Sequence, residues 1–511
     1  MANKLTDAQI EAITRRMEDR AGQRVPRQPR SSGERPAGAS PADATGREPN
    51  VREPNVREPN RRATNGQAPA GRDGIYADLD SAVAAAQRGF RALDALTIEK
   101  RVALIDAMRA TMRANAELLA RMAHEETGLG RVEDKIRKNH LVIDKSPGPE
   151  ILQPSAWTGD RGLTLVERAP YGVFGVITPS TNPTSTIINN AIGLVAAGNS
   201  AVVNVHPGAK RVSAYQIQLL NRAIVHAGGP PDVLTALAEP TVETAQALMK
   251  HPGIRILLIT GGGAVVRLAM SSGKRAICAG PGNPPVVVDE TADLDLAGRE
   301  IVFGASFDNN IICVDEKEIF AVSSIADRLK AAMIENGAVE LPSYRLKALE
   351  KLVFEELPGP RQHGVMRKNW IGKDAGAILR ELGISAPNAR LVLVETPVDH
   401  PLIWTEQLMP VMPIARVRNV DEAIDLAVEA EHGFGHTASM FSRNIDALSR
   451  MARLINTSIF IKNGPNLAGL GYGGEGFTSF SIASPTGEGL TNALTFTRIR
   501  RCTMVDHFRI V

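Results

Sequence analysis

The stretch Pro170-Tyr171-Gly172-Val173-Phe174-Gly175-Val176-Ile177-Thr178-Pro179-Ser180-Thr181-Asn182-Pro183 opens a regular alternation of strands and helices. Its run Val173–Thr178 predicts a buried strand, and the polar residues between Pro179 and Pro183 predict a loop. The pattern continues with predicted helices at Thr184–Ala197, Ala209–Ala227, Thr241–Lys250 and Ala264–Ser272, and with predicted strands at Ala201–Val205, Val233–Ala236 and Ile254–Thr260. This alternation is typical of a mainly parallel sheet, so we predict an α/β fold.

The segments on either side of this alternation differ in character. Upstream, residues 78–126 have a helical pattern, which predicts helices at Leu79–Leu96, Thr97–Arg113 and Ala116–Glu126. Residues 151–170 surround the turn Thr158-Gly159-Asp160-Arg161-Gly162 with β-type residues, which predicts a hairpin. Downstream, the apolar run Val286–Val288 opens a second domain.

Composition excludes several classes of function. The chain has 511 residues, enough for two or three domains, and 43% of them are hydrophobic. Residues 1–72 carry 14 Lys and Arg against 9 Asp and Glu, whereas the remainder carries 45 against 47, so we expect no nucleic-acid partner for the globular part. Three cysteines in so long a chain indicate a reducing compartment, and no apolar run reaches membrane-spanning length.

The N-terminal region has two parts. Residues 4–21 predict a short amphipathic helix, with Leu5, Ile10, Ile13 and Met17 on one face. Because an isolated helix this short is marginal in water, it needs a partner surface, and a frayed tail is the alternative. Residues 22–72 are rich in Pro, Arg, Gly and Ala and contain a tandem REPN repeat, which predicts a disordered linker.

The chemistry-bearing stretch is Ser306-Phe307-Asp308-Asn309-Asn310-Ile311-Ile312-Cys313, a polar turn followed by two apolar residues and a cysteine. The next residues, Lys317–Val322, predict a strand. A thiol at such an edge can be reached by a substrate and still be shielded from bulk water, and nearby backbone N–H groups can stabilise an anion on a carbonyl. The stretch by itself leaves open a buried structural cysteine.

Three further motifs could take part in cofactor binding or catalysis. Ile256–Ala264 is a strand that runs into three glycines and a helix, an arrangement that lets backbone approach a phosphate, although glycine runs are also common turns. Asn182 has an amide that can donate to an oxyanion, although Asn-Pro pairs also form ordinary turns. Glu406 stands among apolar residues, where it can hold ribose hydroxyls or be a surface acid.

In chain order, from Asn182-Pro183 through Thr260-Gly261 and Cys313 to Glu406, the motifs resemble the aldehyde dehydrogenase superfamily over residues 74–511. The loop at Asn182-Pro183, the Cys313 context and the segment Asn204–Lys210 resemble its CoA-acylating subgroup, in particular members packaged in bacterial microcompartments. The hydrolytic members carry a glutamate that activates water, whereas Ala279 stands near that position here. Thr181 aligns about as well as Asn182 with the family's oxyanion residue.

The resemblance implies a function and a set of residue roles. Cys313 attacks an aldehyde, Asn182 holds the oxyanion, hydride passes to NAD, and coenzyme A takes the acyl group from Cys313. The implied substrate is propanal, with acetaldehyde, a hydrolytic enzyme and an inactive structural homologue as alternatives. No metal is implied. The implied cofactor-binding residues are Thr178, Pro179, His206, Pro207, Thr260, Gly261, Gly262, Gly263 and Glu406.

The resemblance also implies a domain arrangement and partners. The expected parts are a Rossmann-like cofactor domain (residues 73–150 and 171–285), an α/β catalytic domain (286–480) and a β-hairpin oligomerisation arm (151–170 and 481–511). The arm implies a homodimer or homotetramer. Residues 1–21 would be an encapsulation helix that binds a microcompartment shell protein through residues 4–21, which places the enzyme in the lumen of a cytoplasmic microcompartment.

Overall fold

A computed structural model describes residues 73–511, which belong to one compact unit. The predicted helix at residues 4–21 and the predicted linker at residues 22–72 lie outside the described residues. Over the described part, no helix is both long and apolar enough to cross a membrane.

The strands include nearly all of those that the sequence predicts. In chain order they are β1 (Ile75–Tyr76), β2 (Ser155–Gly159), β3 (Gly162–Pro170), β4 (Val173–Ile177), β5 (Ser200–Asn204), β6 (Leu234–Leu237), β7 (Ile256–Thr260), β8 (Ala276–Ala279), β9 (Pro285–Val288), β10 (Glu318–Val322), β11 (Ala338–Glu340), β12 (Phe354–Glu356), β13 (Val365–Met366), β14 (Leu391–Glu395), β15 (Val411–Val417), β16 (Thr437–Phe441), β17 (Ile459–Lys462), β18 (Ile482–Ala483), β19 (Gly489–Leu490) and β20 (Thr497–Val505).

The α-helices cover both sides of the sheets. They are α1 (Leu79–Asp94), α2 (Ile98–Ala114), α3 (Ala116–Thr127), α4 (Val132–Lys145), α5 (Pro183–Ala196), α6 (Lys210–His226), α7 (Val242–Lys250), α8 (Gly263–Met270), α9 (Leu294–Ser306), α10 (Ala326–Glu335), α11 (Leu346–Val353), α12 (Ala375–Glu381), α13 (Val420–Ala430) and α14 (Ile445–Ile455). The predicted helices and strands of residues 78–126 and 173–272 are confirmed, with ends that differ by a few residues.

Two parallel sheets form the body. The first has six strands in the order β1-β6-β5-β4-β7-β8, and the second has seven in the order β11-β14-β15-β10-β9-β16-β17. From β4 the chain moves to one side through β5 and β6, and it returns on the other side through β7 and β8. Because ligands of open α/β sheets bind where the strand order reverses, beyond the carboxyl ends of the strands, this topology points to the end of β4.

A third sheet extends from the body. The predicted hairpin at residues 151–170 is confirmed as the antiparallel pair β2 and β3, and β20 pairs antiparallel with β3 over residues 497–505. Most residues of β2 and β20 are exposed, including Trp157, Ile499 and Val505. The three strands are therefore held by their ladder hydrogen bonds more than by a core of their own.

Helix α4 was not predicted, and its composition explains why. Its buried face carries Asp134, Lys135, Lys138 and Asn139 beside Leu141, Val142 and Ile143. Apolar periodicity is the main sequence signal of a helix, and this helix breaks that signal by burying charged residues. The buried charges meet partners in the turn that precedes Cys313, so the helix and that turn are explained together below.

Candidate functional site

A cavity of about 670 Å³ lies at the carboxyl ends of β4, β5 and β7, where the strand order predicts a ligand site. The predicted site residues that line it are Thr178, Pro179, Asn182, His206, Pro207, Thr260, Gly261, Gly262, Cys313 and Glu406. Thr181, the alternative to Asn182, lines it as well. Gly263, the first residue of α8, does not line the cavity, although Ala264 and Val265 of the same helix do.

The glycine loop after β7 is open towards the cavity. The Gly261 N–H donates to the carbonyl oxygen of Ala279 at 3.1 Å, which ties the loop to β8. Gly262 is the N-cap of α8, and a Cβ added to it would meet no atom within 4 Å. The positive end of a helix and an uncovered backbone therefore face space that a phosphate can occupy.

His206 lies at the carboxyl end of β5, on the other side of β4. Its Nδ1 accepts a hydrogen bond from the Gly208 N–H at 3.0 Å, and burial lowers the pKa of its ring. Lys210, in the same turn, forms a salt bridge with Glu239 at 2.5 Å. A neutral ring and backbone, without a free carboxylate, therefore line this side of the cavity.

The turn before Cys313 has an uncommon backbone. Asp308, Asn309 and Asn310 have φ angles of 46°, 56° and 64°, a left-handed conformation that Asp and Asn adopt more readily than other non-glycine residues. The sequence reading of this stretch as a polar turn is confirmed, but its three polar side chains are buried and none is more than 2% exposed. Their charge and hydrogen bonds must therefore be satisfied by protein groups.

The residues after Cys313 fix that turn from its other side. Lys317 is fully buried, and its Nζ donates to the carbonyl oxygens of Asp315 at 3.0 Å and Ile312 at 3.1 Å. The Asn310 amide donates to the carbonyl oxygens of Ala305 and Glu316 at 2.8 and 2.9 Å. The backbone that carries Cys313 is thus held by side chains within its own loop.

The Cys313 thiol is a protonated group at rest. Burial raises its pKa to about 12, the Glu406 carboxylate adds to the increase, and the Lys317 ammonium opposes it. The thiol lines the cavity and is partly exposed there. The other two cysteines differ, since Cys278 is buried in the first sheet and Cys502 is exposed on β20.

Glu406 lies on the Cys313 side of the cavity. Its carboxylate accepts a hydrogen bond from the Gly282 N–H at 3.3 Å, and burial raises its pKa. A Cβ on Gly282 would lie 2.8 Å from the Cys313 carbonyl oxygen and 3.0 Å from Cγ of His436. The absence of a side chain at Gly282 therefore lets its segment approach both the Cys313 backbone and the His436 ring.

His436 is a buried residue beside this junction to which the sequence assigned no role. Burial lowers its pKa to about 3, so the ring is neutral, and its Nδ1 is 2.9 Å from the Thr437 hydroxyl. Its Nε2 has no hydrogen-bond partner among residues 73–511. The segment His432–Ser439 contains two glycines, Gly433 and Gly435, and its pattern does not distinguish His436 from an ordinary buried residue.

The structure places Asn182 and Ala279 differently with respect to the cavity. The Asn182 Nδ2 donates to the Thr181 hydroxyl at 3.2 Å, and the amide lines the cavity that Cys313 also lines. Ala279, which the family resemblance places near the glutamate of the hydrolytic enzymes, ends β8 and is buried outside the cavity lining. No carboxylate is therefore presented from that position to activate a water molecule.

The chain is similar in sequence to known aldehyde dehydrogenases. A family model described as the aldehyde dehydrogenase family matches residues 48–339 and 387–493. An acetylating acetaldehyde dehydrogenase from Salmonella typhimurium is 52% identical over 440 residues, which cover 86% of this chain and 94% of the relative.

Two solved propionaldehyde dehydrogenases are similar to this chain in both sequence and fold. A propionaldehyde dehydrogenase from the fucose utilisation microcompartment of Clostridium phytofermentans is 44% identical, with a TM-score of 0.83 over 86% of this chain and 100% of that one. A propionaldehyde dehydrogenase from Rhodopseudomonas palustris, solved with bound CoA and an acylated cysteine, is 45% identical, with a TM-score of 0.82 over 85% of this chain and 98% of that one.

Proposed function

The chain belongs to the aldehyde dehydrogenase family, in its CoA-acylating branch, and we propose that it converts propanal to propionyl-CoA through a thioester on Cys313. The observation that carries the proposal is one cavity lined by Cys313, the Asn182 amide and the open glycine loop, with no carboxylate from Ala279. A nucleophile, an oxyanion donor and a phosphate-binding backbone are the parts that the reaction needs.

The nucleotide site fits a nicotinamide dinucleotide. The backbone of Gly261 and Gly262 would hold its pyrophosphate, since a Cβ at Gly262 would stand in otherwise open space. The Glu406 carboxylate would hold ribose hydroxyls. When bound, the nicotinamide supplies an acceptor for the hydride that leaves the substrate carbon.

The chain's own residues would act on the aldehyde as follows. The Cys313 thiol transfers its proton to solvent water, its sulfur forms a bond to the carbonyl carbon, and the electron pair of the carbonyl double bond moves to the oxygen, which becomes an oxyanion. The Asn182 Nδ2 and the Cys313 backbone N–H donate hydrogen bonds to that oxygen, which favours the tetrahedral species over the free aldehyde. After the hydride has left the carbon, the substrate remains as an acyl thioester on Cys313.

The second half of the reaction selects a thiol over water. Water is a poor nucleophile towards a thioester unless a base removes its proton, and Ala279 supplies no such base. The thiol of CoA is partly ionised near neutral pH and is intrinsically more nucleophilic. Its sulfur attacks the acyl carbon, the bond to the Cys313 sulfur breaks, and the acyl group leaves as a new thioester.

Acetaldehyde is the second candidate substrate. The acetylating relative from Salmonella typhimurium is 52% identical to this chain, whereas the two propionaldehyde dehydrogenase structures are 44% and 45% identical. One extra methylene in an apolar pocket discriminates substrates by about 10- to 200-fold. Comparing kcat/KM for aldehydes of two to five carbons, with CoA present, therefore separates the two candidates.

The microcompartment is the proposed location. A relative 44% identical to this chain comes from a bacterial microcompartment. Residues 4–21 would bind a shell protein through the apolar face of the predicted helix, in the manner of a helix in a groove. The exposed strands β2 and β20 would join copies of the chain into a homodimer or homotetramer.

The direct test follows NADH absorbance with and without CoA and identifies the product by mass spectrometry. With CoA, we expect sustained NADH formation and one acyl-CoA per NADH. Without CoA, we expect about one NADH per Cys313 and then a stall, because the thioester is not hydrolysed. Sustained NADH formation without CoA, with free acid as product, would instead show a hydrolytic enzyme, and no NADH in either arm would leave an inactive homologue.

A further inference from the structure

The Asn182 amide is held at its oxygen by a buried lysine. Lys138 Nζ donates to the Asn182 Oδ1 at 2.5 Å, and the two residues are 2% and 7% exposed. An ammonium group has only donors, so it must face the amide oxygen and not the amide nitrogen. The nitrogen of Asn182 is thereby directed to the other side, where it donates to the hydroxyl of Thr181; both residues line the cavity.

Lys138 is itself fixed by Asp308. The Asp308 carboxylate is fully buried and forms salt bridges with Lys138 and with Lys135, the latter at 3.0 Å. Its second oxygen accepts a hydrogen bond from the Arg131 N–H at 2.6 Å. The lysine therefore has little freedom to leave the amide, because its charge has this one carboxylate as its salt-bridge partner in the described part of the chain.

Asp308 also begins the left-handed run that leads to Cys313. It is followed by Asn309 and Asn310, which share its positive φ angle, and Cys313 comes three residues later. Asp308 is thus linked to both segments that would hold the oxyanion: it belongs to the turn that leads to Cys313, and its carboxylate binds Lys138, which contacts the Asn182 amide.

We propose that Lys138 is a positioning residue that keeps the Asn182 amide nitrogen directed at the oxyanion. This inference rests on the proposed function, because it assigns Asn182 the oxyanion role. Lys138 does not touch the aldehyde; it acts by excluding the flipped amide, in which the oxygen would face the developing negative charge. The flipped amide would place like partial charges together and remove one donor.

Lys135 provides a matched control within the same cluster. It contacts the same Asp308 oxygen, it is equally buried, and it lies one helical turn before Lys138 on α4. Among residues 73–511, its Nζ contacts Asp308 and makes no hydrogen bond to Asn182. A purely structural role for the buried charges would affect the two lysines alike, whereas positioning of the amide depends on Lys138 alone.

The first experiment compares Lys138→Met with Lys135→Met in the full-length protein, using steady-state NADH formation with CoA present. Removal of one oxyanion donor costs about 100- to 1,000-fold in kcat, and a misdirected amide should cost part of that, about 10- to 100-fold. We expect this loss in kcat for Lys138→Met with the aldehyde KM within about threefold, and less than about threefold loss for Lys135→Met. Equal losses in the two variants would overturn the inference.

The second experiment asks whether Lys138 acts through Asn182. In the Asn182→Ala background, Lys138→Met should cost less than about twofold further, because no amide remains to be directed. A multiplicative loss in the double variant would contradict the inference. The rate at which iodoacetamide alkylates Cys313 should be the same in Lys138→Met and in the wild type, since alkylation uses no oxyanion donor; a changed rate would show that the Cys313 loop itself had moved.

A second variant and a test of wild-type activity complete the design. If Lys138→Met does not yield folded protein, Lys138→Leu, which also lacks a hydrogen-bond donor, replaces it in the same cycle, and its loss must likewise vanish in the Asn182→Ala background. The wild type is assayed first for CoA-dependent acyl-CoA formation. An inactive wild type would refute the proposed function, whereas an active wild type with an equally active Lys138→Met or Lys138→Leu variant would refute only the role of Lys138.

Discussion

The protonation state of Cys313 gives a prediction that needs neither aldehyde nor CoA. Burial, with help from the Glu406 carboxylate, raises the pKa of this thiol from an ordinary value near 9 to about 12. At pH 8 the thiolate fraction is then about 0.0001, against about 0.1 for an unperturbed thiol, a ratio of about 1,000. Because a more basic thiolate is also more nucleophilic, with a Brønsted coefficient of about 0.4–0.5, we expect alkylation to be only about 30- to 60-fold slower.

The assay is alkylation by iodoacetamide, followed by peptide mass spectrometry that resolves the three cysteines. Cys502 is exposed and serves as the internal reference, while the buried Cys278 should remain unlabelled on the same time scale. The labelling rate of Cys313 should rise about tenfold for each pH unit between 7 and 9, since the titration lies above that range.

The contribution of Glu406 is tested separately. A neighbouring negative charge disfavours the thiolate, so Glu406→Gln should lower the pKa of Cys313 and accelerate its alkylation at pH 8. The gain is about three- to fourfold for each pKa unit removed, because the tenfold larger thiolate fraction is partly offset by the lower nucleophilicity of a less basic thiolate. A Cys313 that is labelled faster than Cys502 at pH 7, with no dependence on pH up to 9, would show a resting thiolate. That result would refute the argument that burial controls this thiol.

Three further predictions follow from the same geometry. Cys313→Ser should abolish NADH formation, because a hydroxyl without an adjacent base is a poor nucleophile, while Cys502→Ser should retain the wild-type rate. Gly282→Ala should lower kcat at least tenfold and destabilise the protein by about 1–3 kcal/mol, since its Cβ would clash with the Cys313 carbonyl oxygen; Gly159→Ala, which meets no atom within 4 Å, is the control for activity and thermal unfolding. Deletion of residues 1–21 should leave kcat unchanged, but should release the enzyme from shells purified after co-expression with shell proteins.

Much of the fold could be predicted because it follows from apolar periodicity. The strand after Pro170 and the helices that alternate with it are buried and apolar, as in Val173–Ile177 and Pro183–Ala196, so their pattern is unambiguous. The hairpin at residues 151–170 was predictable for another reason, since its tight turn contains Gly159 and Gly162. Helix α4 was not predicted because it buries lysines and an aspartate at positions where an amphipathic helix normally has apolar residues.

The residues of the candidate site also include some that the sequence could predict and one that it could not. Asn182, Cys313 and Glu406 could be proposed as site residues because each belongs to a local motif, and in the structure all three line one cavity. Lys138 was missed because its contacts with Asn182 and Asp308 join residues far apart in sequence. A lysine in a stretch without apolar periodicity is normally interpreted as a solvated surface residue.

The buried charges show why this part of the chain cannot be understood through stability alone. Asp134, Lys135, Lys138 and Asp308 are each at most 2% exposed, and together they carry no net charge. Removing such groups from water costs about as much as their attraction returns, so an apolar cluster of the same volume would hold α4 against the Cys313 turn equally well. An apolar cluster could not distinguish the two ends of the Asn182 amide. A buried ammonium distinguishes them, because it can donate a hydrogen bond to the amide oxygen but not to the amide nitrogen.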